Sequence, residues 1–263
     1  MLRNRVKGIL RDGGMAIGSY CGCFQGGAMV EIIGHAGFDA VFIDMEHTTF
    51  DLSDVQVKVL AAERVGITPI VRPPGFDPAL ILRLLDMGAQ GIQIPHVSSV
   101  EAAREAVQAV RYAPLGDRGM IGYSRAADYG KIPAKEHMEQ SNREVLLAVM
   151  IEDLEAVEEI EGIAGTEGVD LIAIGPSDLS QALGVAGQPD HPRLVATIER
   201  IAEAVRKSGN ARLSLPLNHS AVPRNAAQLR ELGVGYTNCG PAPEVRLMRS
   251  LTQQAAEARR EIG

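Results

Sequence analysis

Tryptophan is absent from this chain of 263 residues, and phenylalanine and tyrosine occur five times each. Its core must therefore be packed with Ala, Val, Ile and Leu, which suits helices laid on buried strands. Cysteine is scarce as well. Cys21, Cys23 and Cys239 are an odd number without a CxxC spacing, which excludes a disulfide framework and a structural zinc site. They are expected as small, mostly buried residues. Basic residues are outnumbered, 26 Lys and Arg against 33 Asp and Glu, giving a formal charge of -7. With no basic cluster to offset that acidity, nucleic acid and anionic membrane are excluded as electrostatic partners. No apolar run reaches the ~18 residues that span a bilayer, and the apolar part of MLRNRVKGIL is too short for a signal peptide. The cytoplasm is the expected compartment.

What the chain does contain is a rhythm. Short apolar runs, MAIGSYC (15 to 21), AVFIDM (40 to 45), TPIVRP (68 to 73), GIQIPH (91 to 96), LLAVMIE (146 to 152), LIAIGPS (171 to 177), RLSLPL (212 to 217) and YTNCG (236 to 240), are apolar on both alternating faces, as parallel strands covered by helices are. Amphipathic segments lie between them. SDVQVKVLAAERVG opens on Ser and Asp and closes on Gly66, and DPALILRLLDMG runs from Asp77 to Gly88. SVEAAREAVQAVRYA, DLEAVEEIEGIAG, HPRLVATIERIAEAVRKSG, AVPRNAAQLRELG and the closing PEVRLMRSLTQQAAEARREIG continue the series. Eight β/α units over residues 1 to 263 predict a single-domain (β/α)8 TIM barrel. A doubly wound open sheet would need a GxGxxG turn after its first strand, and CGCFQGGAMV lacks that spacing.

One connection breaks the rhythm. From Tyr112 to Glu144 the chain is long, rich in Gly and punctuated by Pro114 and Pro133. It follows strand four, and a barrel's post-strand loops open on the catalytic face, so it is expected to be a lid or a subunit contact.

The ionisable residues fall where a barrel does its chemistry, at the C-terminal strand ends. Asp44, Glu46 and His47 follow strand two; Arg72 ends strand three, His96 strand four and Glu152 strand five. Asp178 follows strand six and Asn218 strand seven. Singly, each has a plainer reading: an acid after a strand is more often a helix cap or a solvated loop residue, and Asp178 in PSDLS would simply cap the next helix. Together they predict a common mouth. Glu152 and Asp178 are oxygen ligands of the kind that suit Mg²⁺ or Mn²⁺ rather than Zn²⁺, with water and substrate oxygens filling the remaining positions. A 2-oxo acid fits such a site: Arg72 would balance charge on its ketone oxygen and a neutral His47 would move a proton.

GFDAVFIDMEH, VRPPGFDPALILRLLDMGAQGIQIPHV, SSVEAAREAVQAVRYAPLGDRG, MIED and GVDLIAIGPSDLS, in that order over about residues 14 to 190, resemble the HpcH/HpaI family of class II (metal-dependent) pyruvate aldolases. The remaining third is similar only loosely. The resemblance implies reversible cleavage of a 4-hydroxy-2-oxo acid to pyruvate, or a related 2-oxo acid, and an aldehyde, with a divalent cation (Mg²⁺, Mn²⁺ or Co²⁺). It also implies a role for each matching residue. His47 matches the catalytic acid/base, and Asp86 the acid that pairs with it from a neighbouring subunit. Asp44 matches an acid beside the metal's water shell and Arg72 the ligand of the ketone oxygen. Glu152 and Asp178 match the metal carboxylates, and the N–H groups of Ser177 and Asp178 the donors to the substrate carboxylate. Tyr20, His96 and Asn218 complete the expected substrate-binding set. A homohexamer, a trimer of dimers with the C-terminal helix exchanged between protomers, is the implied assembly.

Asp86 shows what the resemblance adds, since periodicity alone places it near a helix end as a surface charge. The departures are as specific. Met45 stands where the family usually has Gly, His96 where it has Met, Tyr20 where many members have Trp, and NCGPAPE replaces a small-Gly-Ser-Asp pattern. These changes leave open a related condensation, decarboxylation or lyase reaction, and, as a different class, a barrel that only binds. His35, His137, His191 and His219 read as packing, capping or solvated residues, and the acidic run after Glu152 as a solvated helix face.

Overall fold

The computed structural model describes residues 3–263. Its eight strands, β1 (Ala16–Cys21), β2 (Ala40–Asp44), β3 (Thr68–Arg72), β4 (Gly91–Ile94), β5 (Leu146–Ile151), β6 (Leu171–Ile174), β7 (Arg212–Ser214) and β8 (Val234–Asn238), close in sequence order into a barrel. Every neighbouring pair is parallel. The (β/α)8 expectation is met, with strand ends within two or three residues of those read from sequence.

Two apolar layers explain the unbroken hydrophobicity of the strands. Phe42, Ile70, Leu146, Ala148, Leu171 and Tyr236 fill the barrel's interior. Val41, Ile43, Val71, Ile92, Val149 and Ile172 face outward beneath the helices. Alternating residues thus meet one core or the other, which is why most strands read as nearly continuous apolar runs.

Helices α1 (Arg5–Arg11), α2 (Ala28–His35), α3 (Leu52–Val65), α4 (Pro78–Asp86), α5 (Val100–Val110), α6 (Ala134–Glu144), α7 (Leu154–Glu158), α8 (Ile160–Ala164), α9 (Pro176–Ala182), α10 (Pro192–Ser208), α11 (Ala226–Glu231) and α12 (Pro243–Ile262) surround the sheet. Their ends obey local rules. Asp51, two residues earlier than read, forms a capping box with Asp54 at α3, whose far end stops at Gly66 with φ of +71°. Asp77 caps α4 ahead of Pro78, Ser99 caps α5, and His191 caps α10 through its ring. The acidic run after Glu152 breaks into α7 and α8 at Glu159, whose carboxylate accepts the Val100 N–H at 2.8 Å.

The short α1 was not foreseen. Its cap Asn4 donates to the Gln90 carbonyl at 2.8 Å and receives the Lys7 N–H at 3.0 Å, while the Asn4 N–H meets Glu144 at 3.0 Å. These partners precede β4 and β5, so α1 closes the N-terminal end of the barrel, here called the base.

The long connection corrects the expectation of a lid. It leaves from the end of α5 and enters β5, so it lies at the base rather than over the C-terminal face. Its residues hold base elements: Arg118 binds Asp86 at the end of α4, and Arg125 pairs with Glu63 of α3 and donates to the Met87 carbonyl at 2.9 Å. It also contains a 3₁₀ turn at Arg125–Gly130 and the helix α6. The reason is topological, because a segment that follows a β/α unit's helix has already returned to the strand starts.

Two further points of detail emerge. Cys21 is buried but Cys23 is exposed and Cys239 half-buried, all three free. The closing helix α12 has no buried residue and exposes Leu247, Met248 and Leu251. Among the described residues no helix is long and apolar enough to cross a membrane.

Candidate active site

The β2–β3 register sets the site's first contact by pairing Asp44 with Arg72 at the mouth ends of both strands. Arg72 Nε and Nη2 donate to the two oxygens of Asp44 at 2.9 and 2.7 Å, a bidentate fork. Both side chains are about nine-tenths buried, with 10% and 9% exposed. Burial opposes the arginine's charge, but the hydrogen bonds and charge of Asp44, with Glu46 adding to them, hold it above its ordinary range. The third nitrogen, Nη1, lies 3.0 Å from Glu46. Glu46 is fixed at its other end by its own N–H, which donates to Asp44 at 3.0 Å.

Two imidazoles flank Glu46. His96 Nε2 is 3.1 Å from Oε1, and His47 Nε2 is 3.7 Å from Oε2, with the His47 side chain 66% exposed. His96 also reaches Glu152 Oε1, by its backbone N–H at 2.7 Å and by Nδ1 at 3.0 Å. Glu152 is buried at the end of β5. Burial pushes its carboxyl above the ordinary range; the His96 N–H and ring oppose this, while Asp178 and Glu46 add to it.

Asp178 is in the first turn of α9 and makes no cap: the N-cap is Gly175, without a side-chain bond. Its carboxylate is exposed at the mouth rather than spent on the helix. Gly175 is required for another reason, since a Cβ there would come within 2.8 Å of Glu152 Oε2.

Of these, His47, Arg72, Gly175 and Asp178 line a cleft of about 260 Å³ whose walls also include Tyr20, Ser177 and His219. The Tyr20 ring packs edge-on against Phe42 at 5.1 Å, and burial raises its hydroxyl pKa. Larger depressions, of about 410 and 740 Å³, lie toward the base, where cation and carboxylate pairs are already joined.

The structure therefore brings together Tyr20, Asp44, His47, Arg72, His96, Glu152, Ser177 and Asp178. It does not bring in the other two expected residues. Asp86 sits at the base end of α4, its Oδ1 receiving Arg118 Nη2 at 2.7 Å, and within one chain it is not a partner of His47. Asn218 is exposed in the loop after β7, and it is His219 that lines the cleft.

His219, expected as a packing, capping or solvated residue, has its Nε2 3.4 Å from Ser177 Oγ, and its Nδ1 accepts the Ala221 N–H at 3.2 Å. Burial lowers its pKa against the opposing charge of Asp178. Gln93, Ser214 and Asn238 also line the cleft. Their one available signal was a polar side chain within a largely buried strand, which reads equally well as a buried structural hydrogen bond.

The donor set fits a hard divalent cation. Glu152 and Asp178 supply oxygen only, and a cation would offset what raises Glu152, its burial first and then the charges of Asp178 and Glu46. Among the described residues no three or more His, Cys, Asp or Glu side chains are grouped to hold a metal, so these two would leave most positions open to water and substrate oxygens.

In class, then, fold and mouth define a (β/α)8 barrel with carboxylates and a forked guanidinium at the C-terminal ends of its strands. Residues 22–239 match the family HpcH/HpaI aldolase/citrate lyase, and the chain belongs to that family. The match runs past residue 190 into the last third, where the likeness had looked loose. The chain is 41% identical over 196 residues to a pyruvate aldolase of Rhizobium etli, covering 74% of this chain and 76% of that one. It is 36% identical over 258 residues to a 4-hydroxy-2-oxo-heptane-1,7-dioate aldolase of Shigella sonnei, covering 98% and 94%. The crystal structure of an HpcH/HpaI aldolase from Desulfitobacterium hafniense superposes with a TM-score of 0.86 at 29% identity, over 99% of this chain and 98% of that one. The protein is accordingly an enzyme of the aldolase type, a carbon–carbon lyase.

Proposed function

We propose that this aldolase cleaves a 4-hydroxy-2-oxo acid reversibly to pyruvate, or a related 2-oxo acid, and an aldehyde. The observation that carries the reading is a cleft of about 260 Å³ lined by His47, Asp178 and the Arg72 that Asp44 forks, with Glu152 packed against its Gly175 wall. Glu152 and Asp178 would hold a divalent cation, Mg²⁺, Mn²⁺ or Co²⁺; when bound it supplies Lewis acidity that makes the C–H next to the ketone easier to ionise.

The rest is the chain's own work. Asp44 engages Nε and Nη2 and Glu46 lies 3.0 Å from Nη1, so the guanidinium is fixed in the cleft wall, preorganised for charge that develops on the ketone oxygen. His47 is exposed enough to meet substrate and moves the proton between water and carbon or hydroxyl. The N–H groups of Ser177 and Asp178, opening α9, orient the substrate carboxylate. Tyr20 and His96 border the space for the substrate's variable end. Asp86 would pair with the His47 of a second copy, in a hexamer whose uncovered α12 is exchanged between protomers, and the cytoplasm is the proposed location.

Pyruvate in D₂O tests this reading. Methyl deuterium exchange should require both the protein and Mg²⁺, Mn²⁺ or Co²⁺, and an added aldehyde should consume pyruvate. Absence of both effects sinks the reading. A second reading keeps these residues and changes the fate of the carbanion. His96 favours it by placing a polar ring at the rim of the cleft, and a preference for oxaloacetate or hydroxypyruvate over pyruvate would select it.

A further inference from the structure

His96 follows β4 in the left-handed region, with φ of +54°, a backbone that glycine adopts freely and a histidine does not. The twist turns both its N–H and its ring onto carboxylates. The N–H donates to Glu152 Oε1 at 2.7 Å, Nδ1 lies 3.0 Å from the same oxygen, and Nε2 lies 3.1 Å from Glu46 Oε1. Glu152 Oε2 lies against Gly175, in space that exists only because residue 175 has no side chain. One oxygen of Glu152 is thus committed, and the other makes no hydrogen bond among the described residues.

The far side of the ring is braced. Glu46 is held by Arg72 Nη1 at 3.0 Å, and Arg72 by the fork of Asp44. Asp44, Arg72, Glu46, His96 and Glu152 form one continuous run of polar contacts around the mouth.

We propose that His96 is a positioning residue for Glu152: its ring, braced by Glu46, holds Oε1 so that Oε2 is the oxygen presented to a divalent cation. This rests on reading Glu152 and Asp178 as the cation's carboxylates, and it gives His96 a task beyond bordering the substrate. A carboxylate fixed in advance loses less freedom on binding, and such outer partners are typically worth 10–100-fold in metal affinity.

Mn²⁺ binding to the whole, chelator-stripped protein tests it, read by calorimetry and by the paramagnetic resonance of free Mn²⁺, independently of turnover. His96→Gly deletes the ring, keeps the N–H and relieves the left-handed backbone. The expected result is a thermal midpoint at or above that of the unsubstituted protein, with a Kd for Mn²⁺ raised about 10- to 100-fold. His96→Asn, which tolerates the left-handed conformation and keeps one N–H donor, should weaken binding less, and it decides by the same criterion if the glycine variant does not fold. A folded variant binding Mn²⁺ within about twofold of the unsubstituted protein, far from the range typical of such partners, overturns the role of His96 and leaves the cation reading standing. Failure of the unsubstituted protein to bind Mn²⁺ overturns the cation reading, and the proposal with it.

Discussion

The two ends of the barrel both carry buried charge and use it in opposite ways. At the base the cations Arg111, Lys7 and Arg118 are paired. Arg111 donates to the Val145 and Gly168 carbonyls and to Asp170, Lys7 pairs with Asp170 at 2.7 Å, and Arg118 spans Asp86 and Ser141 over the face of Tyr112. At the mouth Asp44 and Glu46 share the guanidinium of Arg72, and Glu152 feels the further negative charge of Asp178 and Glu46. A matched network makes the fold cohere. An unmatched one spends stability to create a site, where burial first, and then Asp178 and Glu46, raise the Glu152 pKa.

The contrast can be broken from either end. The largest effect on stability is expected at the base from Arg118→Ala. It leaves Asp86 without its partner and Tyr112 uncovered, and should cost about 3–5 kcal/mol in urea denaturation; a loss below ~1 kcal/mol would mean that the base is not held by its charges. At the mouth, Arg72→Lys keeps the charge but loses the fork. Turnover in aldol cleavage should fall about 10²–10³-fold with a far smaller change in urea midpoint, and comparable loss of both would erase the distinction.

Asp51→Ala sharpens the boundary, because Asp51 is four residues from His47 yet does a structural job. Loss of its capping box should cost about 1 kcal/mol with kcat nearly unchanged. The smallest expected effect concerns His137, buried at the base against the Tyr112 hydroxyl at 3.3 Å. Burial first, then Arg118, depresses its pKa below the ordinary 6.5, with Asp86 opposing. Between that depressed value and 6.5 the unfolded chain binds a proton that the folded chain refuses. Stability therefore rises with pH through this window and is lost as pH falls through it. Urea midpoints across a pH series should show a shallower slope for His137→Gln, and an unchanged slope would remove His137 from the balance.

Much of the barrel was legible because its signals are local. Asp77 before Pro78, Ser99 before α5 and Gly66 after α3 act within a turn of helix, and buried parallel strands advertise themselves as short apolar runs. The candidate site was half legible for a related reason: a residue's position at a strand end can be read, but its direction cannot. Asn218 and His219 are neighbours after the same strand, and only the path of the loop decides that His219 enters the cleft. The helices α1 and α6 escaped notice because their hold on the fold is long-range. Asn4 reaches Gln90 and Glu144, and the α6 residue Ser141 reaches Arg118. Asp86 was singled out by resemblance alone, and within one chain its contact is Arg118.

By itself the sequence determined the number and order of the strands, the two-sided burial that demands helices outside and side chains inside, and the kinds of chemistry available at the strand ends. Those follow from hydrophobic spacing and backbone propensity, which neighbours in the chain set among themselves. Only the tertiary structure decided that the long connection runs at the base, that Asp44 forks Arg72, and that His96 twists to link Glu46 with Glu152. Such contacts depend on strand register and on the φ of single residues, and both are set by the closing of the whole barrel.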